Sequence, residues 1–172
     1  MRTFVPSSQA NSRYFNGNFE EYHEPLKYYG HRPIKFRSSY EFRYMCKLEL
    51  SVPVVKWSSE EIRIPYFMKE KVGGKFVLRR HEYVTDFTVH MESGKKYVVE
   101  VKPASQRPQP ANIALIKRDP VLYKNACKWR AAIIWCKANG YEFKVESEAN
   151  LFGKGEKIIN KGKQLKQQKG KR

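Results

Sequence analysis

Val84-Thr85-Asp86-Phe87 and Val98-Val99-Glu100-Val101-Lys102, whose glutamate lies fourteen residues beyond the aspartate, decide how this chain reads. Each stretch has the composition of a strand, predicting strands over residues 82–91 and 96–102. Alternation sends Glu100 and Lys102 to one face of the sheet and Tyr97, Val99 and Val101 to the other. Asp86 likewise alternates away from Thr85, Phe87, Val89 and Met91. Glu92-Ser93-Gly94 is a hairpin connection, so the two strands pair and bring an aspartate, a glutamate and a lysine onto one face. Two carboxylates suit a hard divalent cation, Mg2+ or Mn2+. A lysine beside them can orient water and stabilise charge on phosphate. That is a constellation for cutting phosphodiesters.

The flanking sequence supplies a helix on either side. Ser38-Ser39-Tyr40-Glu41 opens a helix that runs to about Leu50, where Val52-Pro53 stops it. A strand is expected from Glu60 to Phe67, followed by a basic loop over 68–80 containing Gly73-Gly74. Residues 103–118 hold three prolines and no period, and read as a loop. Asp119-Pro120 starts a second helix, and Gly140 ends it. Its apolar residues Leu122, Ala126, Trp129, Ile133 and Cys136 recur every three or four positions, predicting the packed face. A last strand covers 141–145. The order is αβββαβ, an α/β fold with a mixed central sheet between helices.

The formal charge of +17 over 172 residues makes polyanions the expected partners. The tail, 153–172, holds eight Lys and Arg against Glu156, and is expected to be disordered until it meets an acidic partner. Residues 1–37 read as an irregular arm, leaving 38–152 as one domain. No apolar run reaches the length of a membrane span. Cys46, Cys127 and Cys136 form neither a zinc pattern nor a disulfide framework, and His23, His31, His81 and His90 are too scattered for a metal cluster.

The element order resembles the core of the PD-(D/E)XK nuclease superfamily, with Thr85 in place of the proline of the first half-motif. Ser39-Tyr40-Glu41-Phe42, the run from Trp57 to Tyr66, Thr85-Asp86-Phe87, Glu100-Val101-Lys102-Pro103 and Gly140-Tyr141-Glu142-Phe143 resemble the TnsA-type transposon endonucleases. They are still more similar to the small head-completion proteins of myovirus-like tailed phages. The resemblance spans about residues 38–152. It implies a metal-dependent DNA endonuclease acting after packaging, located in the virion head or neck, with portal or neck proteins as partners. Two other readings stand beside it. One is a structural, DNA-binding virion component that keeps the nuclease fold as scaffold. The other is a cellular enzyme of the same fold.

In this reading Asp86 and Glu100 are metal ligands, the Val101 carbonyl a third, and Lys102 the water-positioning group. Glu41 has two readings. With Ser38 it forms a capping box, and by resemblance it completes the metal site. Arg79, Arg80, Lys128 and Arg130 are candidates for gripping phosphate, although for Lys128 and Arg130 a solvated helix face is the favoured reading. Glu61 is expected to face solvent or a lysine, and His90 shares the Asp86 face.

Overall fold

A computed structural model describes residues 15–151 of the chain. The expected tail, 153–172, and the first fourteen residues lie outside the described residues. The elements run β1 (Gly17–Asn18), β2 (Lys35–Phe36), α1 (Ser39–Leu50), β3 (Val54–Ser59), β4 (Arg63–Val72), β5 (Lys75–Val84), β6 (Phe87–Met91), β7 (Lys96–Val101), α2 (Ile113–Arg118), α3 (Pro120–Asn139), β8 (Glu142–Glu146) and α4 (Glu148–Leu151).

The central sheet has the order β3-β6-β7-β8. β3 and β6 are antiparallel, as are β6 and β7, and β8 adds to β7 in parallel. Register across the β6–β7 turn pairs Phe87 with Val99 and Val89 with Tyr97. On one side of the sheet the core gathers Phe42, Met45 and Leu48 of α1 against Trp57, Phe87, Val89, Val99 and Val101. A second, smaller core joins Ala132 of α3 to Ile64, Tyr66 and Tyr83. The αβββαβ order holds once β4–β5 is recognised as an insertion between the first and second core strands.

That insertion corrects three expectations. The strand placed at 60–67 is not the first core strand, which is β3, seated six residues earlier. Glu60 has φ 57°, so the chain turns a corner there and β4 leaves the central sheet. The basic loop expected at 68–80 is instead the distal part of a regular ribbon. β4 and β5 pair without interruption from Arg63–Val84 to Val72–Lys75, and Gly73 and Gly74, both at positive φ, close the tip. Alternation there is weak because charged residues occupy both faces, so composition favours a loop. The strand expected at 82–91 is divided at Thr85-Asp86, where the chain passes from the ribbon to the central sheet.

α3 has the predicted caps. Asp119 Oδ1 accepts from Val121 N–H at 2.8 Å and Leu122 N–H at 3.1 Å, and Gly140 takes φ 73°. Its buried residues are Leu122, Asn125, Ala132 and Cys136. Ile133, expected in the packed face, is 56% exposed. The expected loop 103–118 contains α2. The N-terminal segment is not peripheral, because Phe15, Phe19, Ile34 and Phe36 are buried in the main core with Phe42 and Trp57. Their periodicity is invisible because a short 3-10 turn and two-residue strands carry them.

Candidate active site

Asp86 sits at the corner where the ribbon meets the sheet. The β6 ladder to β7 ends with Phe87 opposite Val99, which leaves the next N–H of β7, that of Val101, without a strand partner on that side. The Asp86 carboxylate takes that place, with Oδ2 accepting from Val101 N–H at 2.8 Å. This explains an aspartate where β propensity disfavours one: it lies just outside the strand and finishes the ladder with its side chain.

Glu100 points off the opposite face from Val99 and Val101, as alternation predicted, and is 1% exposed. Tyr83, buried at the root of β5, donates its hydroxyl to Glu100 Oε2. Lys102 lies between the two acids, Nζ standing 3.1 Å from Glu100 Oε1 and 3.7 Å from Asp86 Oδ2. The Lys102 contact to Oε1 is close but poorly aligned, so this buried oxygen has no hydrogen bond. Two carboxylates share the one Lys102 ammonium, so one negative charge is left to be met by a further cation or by a proton. Asp86 and Glu100 therefore fit a divalent ion by donor type and by the unsatisfied oxygen.

Electrostatics agree with this placement. Burial, then the neighbouring Glu100 charge, push the Asp86 carboxyl up to about 8, against the pull of Lys102. Burial alone lowers the Lys102 ammonium, but Asp86 and Glu100 more than offset it, and its pKa lies above the ordinary value. The lysine stays protonated and acts as a fixed positive charge.

Glu41 stands at the edge of this group. Its Oε2 accepts from Arg37 N–H at 2.8 Å and its Oε1 from the Ser38 hydroxyl at 3.0 Å, while Ser38 Oγ caps Glu41 N–H at 3.2 Å. The capping contact is thus formed, displaced by one residue, since the main-chain donor is Arg37 and not Ser38. Burial raises the Glu41 carboxyl, and Lys102 is among the charges that act on it. Among the described residues no three His, Cys, Asp or Glu side chains converge as a metal cage, and Glu41 is tied to the group through its charge, which acts on Asp86. A cleft of ≈ 590 Å³ opens here between Ser38, Glu41, Val101, Lys102, Gln106 and Glu148.

The other candidates separate. Lys128 lies nearer the site than a solvated helix face implies: its Nζ is 5.1 Å from the Tyr83 ring centre, and its pKa is lowered by burial with Glu100 and Asp86 acting against that. Arg79 is in mid-β5, ion-paired with Glu70 at 3.7 Å, and Arg80 is on the opposite face of the ribbon. Arg130 borders a groove between the ribbon and α3, not the carboxylates. Glu61 accepts from His31 rather than from a lysine, and His90 contacts Tyr29 and Tyr141. Tyr83 is the residue that sequence reasoning misses. Its signal is parity, since it shares a ribbon face with Ile64 and lies three residues before Asp86.

No helix among the described residues is long and apolar enough to cross a membrane. The three cysteines are free.

The sequence is 28% identical over 133 residues to the head completion nuclease of Enterobacteria phage T4, covering 72% of this chain and 85% of that protein. The family model described as TnsA-like endonuclease N terminal matches residues 51–148, which take in every core strand together with Asp86, Glu100 and Lys102. A mixed sheet between helices is the PD-(D/E)XK architecture, and by this match over more than half its length the chain belongs to the TnsA-like N-terminal endonuclease family.

Proposed function

We propose that the protein is a divalent-metal-dependent DNA endonuclease that acts in phage head completion, in the virion head or neck after packaging. The observation that carries the chemistry is the meeting of Asp86 and Glu100 on Lys102, with Glu100 Oε1 buried and short of a hydrogen bond. The phage setting is supported by the similarity to a head completion nuclease.

Asp86 and Glu100, with the Val101 carbonyl, are the groups that would hold Mg2+ or Mn2+, and the ion would supply Lewis-acid activation of water and charge stabilisation at phosphate. The chain's own residues do the rest. Val101 N–H fixes Asp86, and the Tyr83 hydroxyl fixes Glu100, so neither carboxylate has to reorganise. Lys102, kept protonated by both acids, orients the attacking water and offsets the negative charge that builds on the phosphate. Glu41 borders the same cleft and completes the acid set around the attacking water. Lys128 meets the strand backbone from α3.

The deciding experiment incubates the purified chain with linear, supercoiled and branched DNA in Mg2+, Mn2+ or EDTA. Cleavage with either ion, absent in EDTA and absent from Asp86→Ala, Glu100→Ala and Lys102→Ala proteins that remain folded, is expected. DNA left intact under every condition, together with normal head assembly by Asp86→Ala, refutes the enzyme in favour of a structural virion protein.

A further inference from the structure

The β4–β5 ribbon forms a sheet of its own, with its two faces built differently. Ile64, Tyr66 and Tyr83 turn toward α3 and are buried. The opposite face, at the alternate positions, is exposed, and at its lower end Phe67, Lys69 and Leu78 also line the groove between the ribbon and α3. There Phe67 is 58% exposed, Leu78 64% and Phe76 74%. Large apolar groups held in water along a regular strand mark a surface that meets something.

The register shows what that something is. Phe67 lies directly opposite Arg80, Leu78 opposite Lys69, and Phe76 opposite Lys71. Each apolar side chain therefore has a cation about 5 Å away across the ladder, and no acidic residue shares the three rungs. Glu82, the acid farther down this face, is already paired with Arg63. An apolar protein surface laid here must bury three cations without partners, which is costly. Duplex DNA offers phosphates for the cations but encloses its base faces. A single strand offers both at once: phosphates on one side and unstacked bases on the other. Successive rungs on one face are roughly 6–7 Å apart, a step that one unstacked nucleotide spans.

We propose that this face is a platform for single-stranded DNA, with bases stacked on Phe67 and Phe76 and phosphates held by Lys69, Lys71 and Arg80. The proposal rests on the DNA-cleaving reading and names the form of DNA delivered to that site. β5 runs from the platform straight to its root at Val84, two residues before Asp86. Phe76 lies roughly 30 Å up the ribbon from Asp86, a distance that several nucleotides span. The ribbon thus recognises a frayed or displaced end beside the cleavage centre.

The test measures binding of the full chain to a fluorescein-labelled dT strand of about 20 nucleotides, and to the same strand paired with dA, by anisotropy in EDTA. The Phe67→Ala/Phe76→Ala double variant is expected to lose about tenfold or more in single-strand affinity and less than about twofold in duplex affinity. Phe67→Trp/Phe76→Trp retains single-strand affinity because it retains the stacking faces. Lys69→Gln/Lys71→Gln weakens binding to both DNAs and lowers the salt dependence. Both rings are exposed, so thermal unfolding of the variants should match the parent and separates binding loss from misfolding. If removing the rings leaves single-strand affinity unchanged, or weakens duplex binding equally, the proposal is overturned and the face is left to a protein partner. Because the assay contains no metal, it succeeds or fails independently of whether the chain cuts DNA.

Discussion

The chemistry of single side chains is concentrated in one buried contact, that of Tyr83 with Glu100. Tyr83→Phe keeps the ring in its core and removes the hydroxyl that orients the carboxylate. Cleavage should fall by ~10–100-fold, with the metal titration shifted to higher ion concentration, while the protein stays folded by circular dichroism. Glu41 divides along its two contacts. If it serves only as a cap, Glu41→Ala lowers stability by about 1 kcal/mol and spares activity; if it belongs to the reaction centre, cleavage disappears as well. Asp86 gives a pH signature. Its carboxyl is raised from 3.8 to about 8 in the folded chain, so between those values the folded state holds a proton that the unfolded state has released. Stability is then present below about pH 4 and is lost as pH rises through about 8. In metal-free buffer the unfolding midpoint should fall across that window, and the slope should flatten in Asp86→Asn.

At the scale of elements, α3 separates prediction by pattern from packing in fact. The three-and-four spacing locates the helix and both of its ends, yet assigns Ile133 to the buried face. The helix packs across β4 and the root of the ribbon, so its contact stripe passes through Leu122, Ala132 and Cys136 while Ile133 points outward. Leu122→Ala should cost about 2–4 kcal/mol, and Ile133→Ala less than about 0.5 kcal/mol. Urea titrations of the two variants measure the difference. The ribbon hides from the sequence for a related reason. The distal half of the two-stranded sheet stands away from the main layer with neither face buried, so hydrophobic alternation, the signal for a strand, is diluted there by Lys69, Lys71, Arg79 and Arg80.

For the molecule as a whole, the N-terminal segment and the tail should behave oppositely. Phe15, Phe19, Ile34 and Phe36 are each nearly fully buried, and each contributes roughly 1.5–3 kcal/mol. Together these rival the margin by which most domains are stable, so deleting residues 1–37 should abolish cooperative thermal unfolding. Deleting 153–172 removes a net +7 and leaves every core residue described above in place. The unfolding midpoint should hold, and the slope of log affinity against log salt on duplex DNA should drop by about 0.9 for each phosphate that the tail had neutralised. The sequence by itself determined the mixed α/β class, the caps of α1 and α3, the β6–β7 hairpin and the common face of Glu100 and Lys102. All of these follow from short-range periodicity and from residues that fix their own backbone. Only the tertiary structure decided that β3 opens the sheet, that the ribbon is inserted, that the aromatic N-terminal segment completes the core and that Tyr83 holds Glu100. These depend on contacts between residues far apart in the chain, and such contacts leave no local period to read.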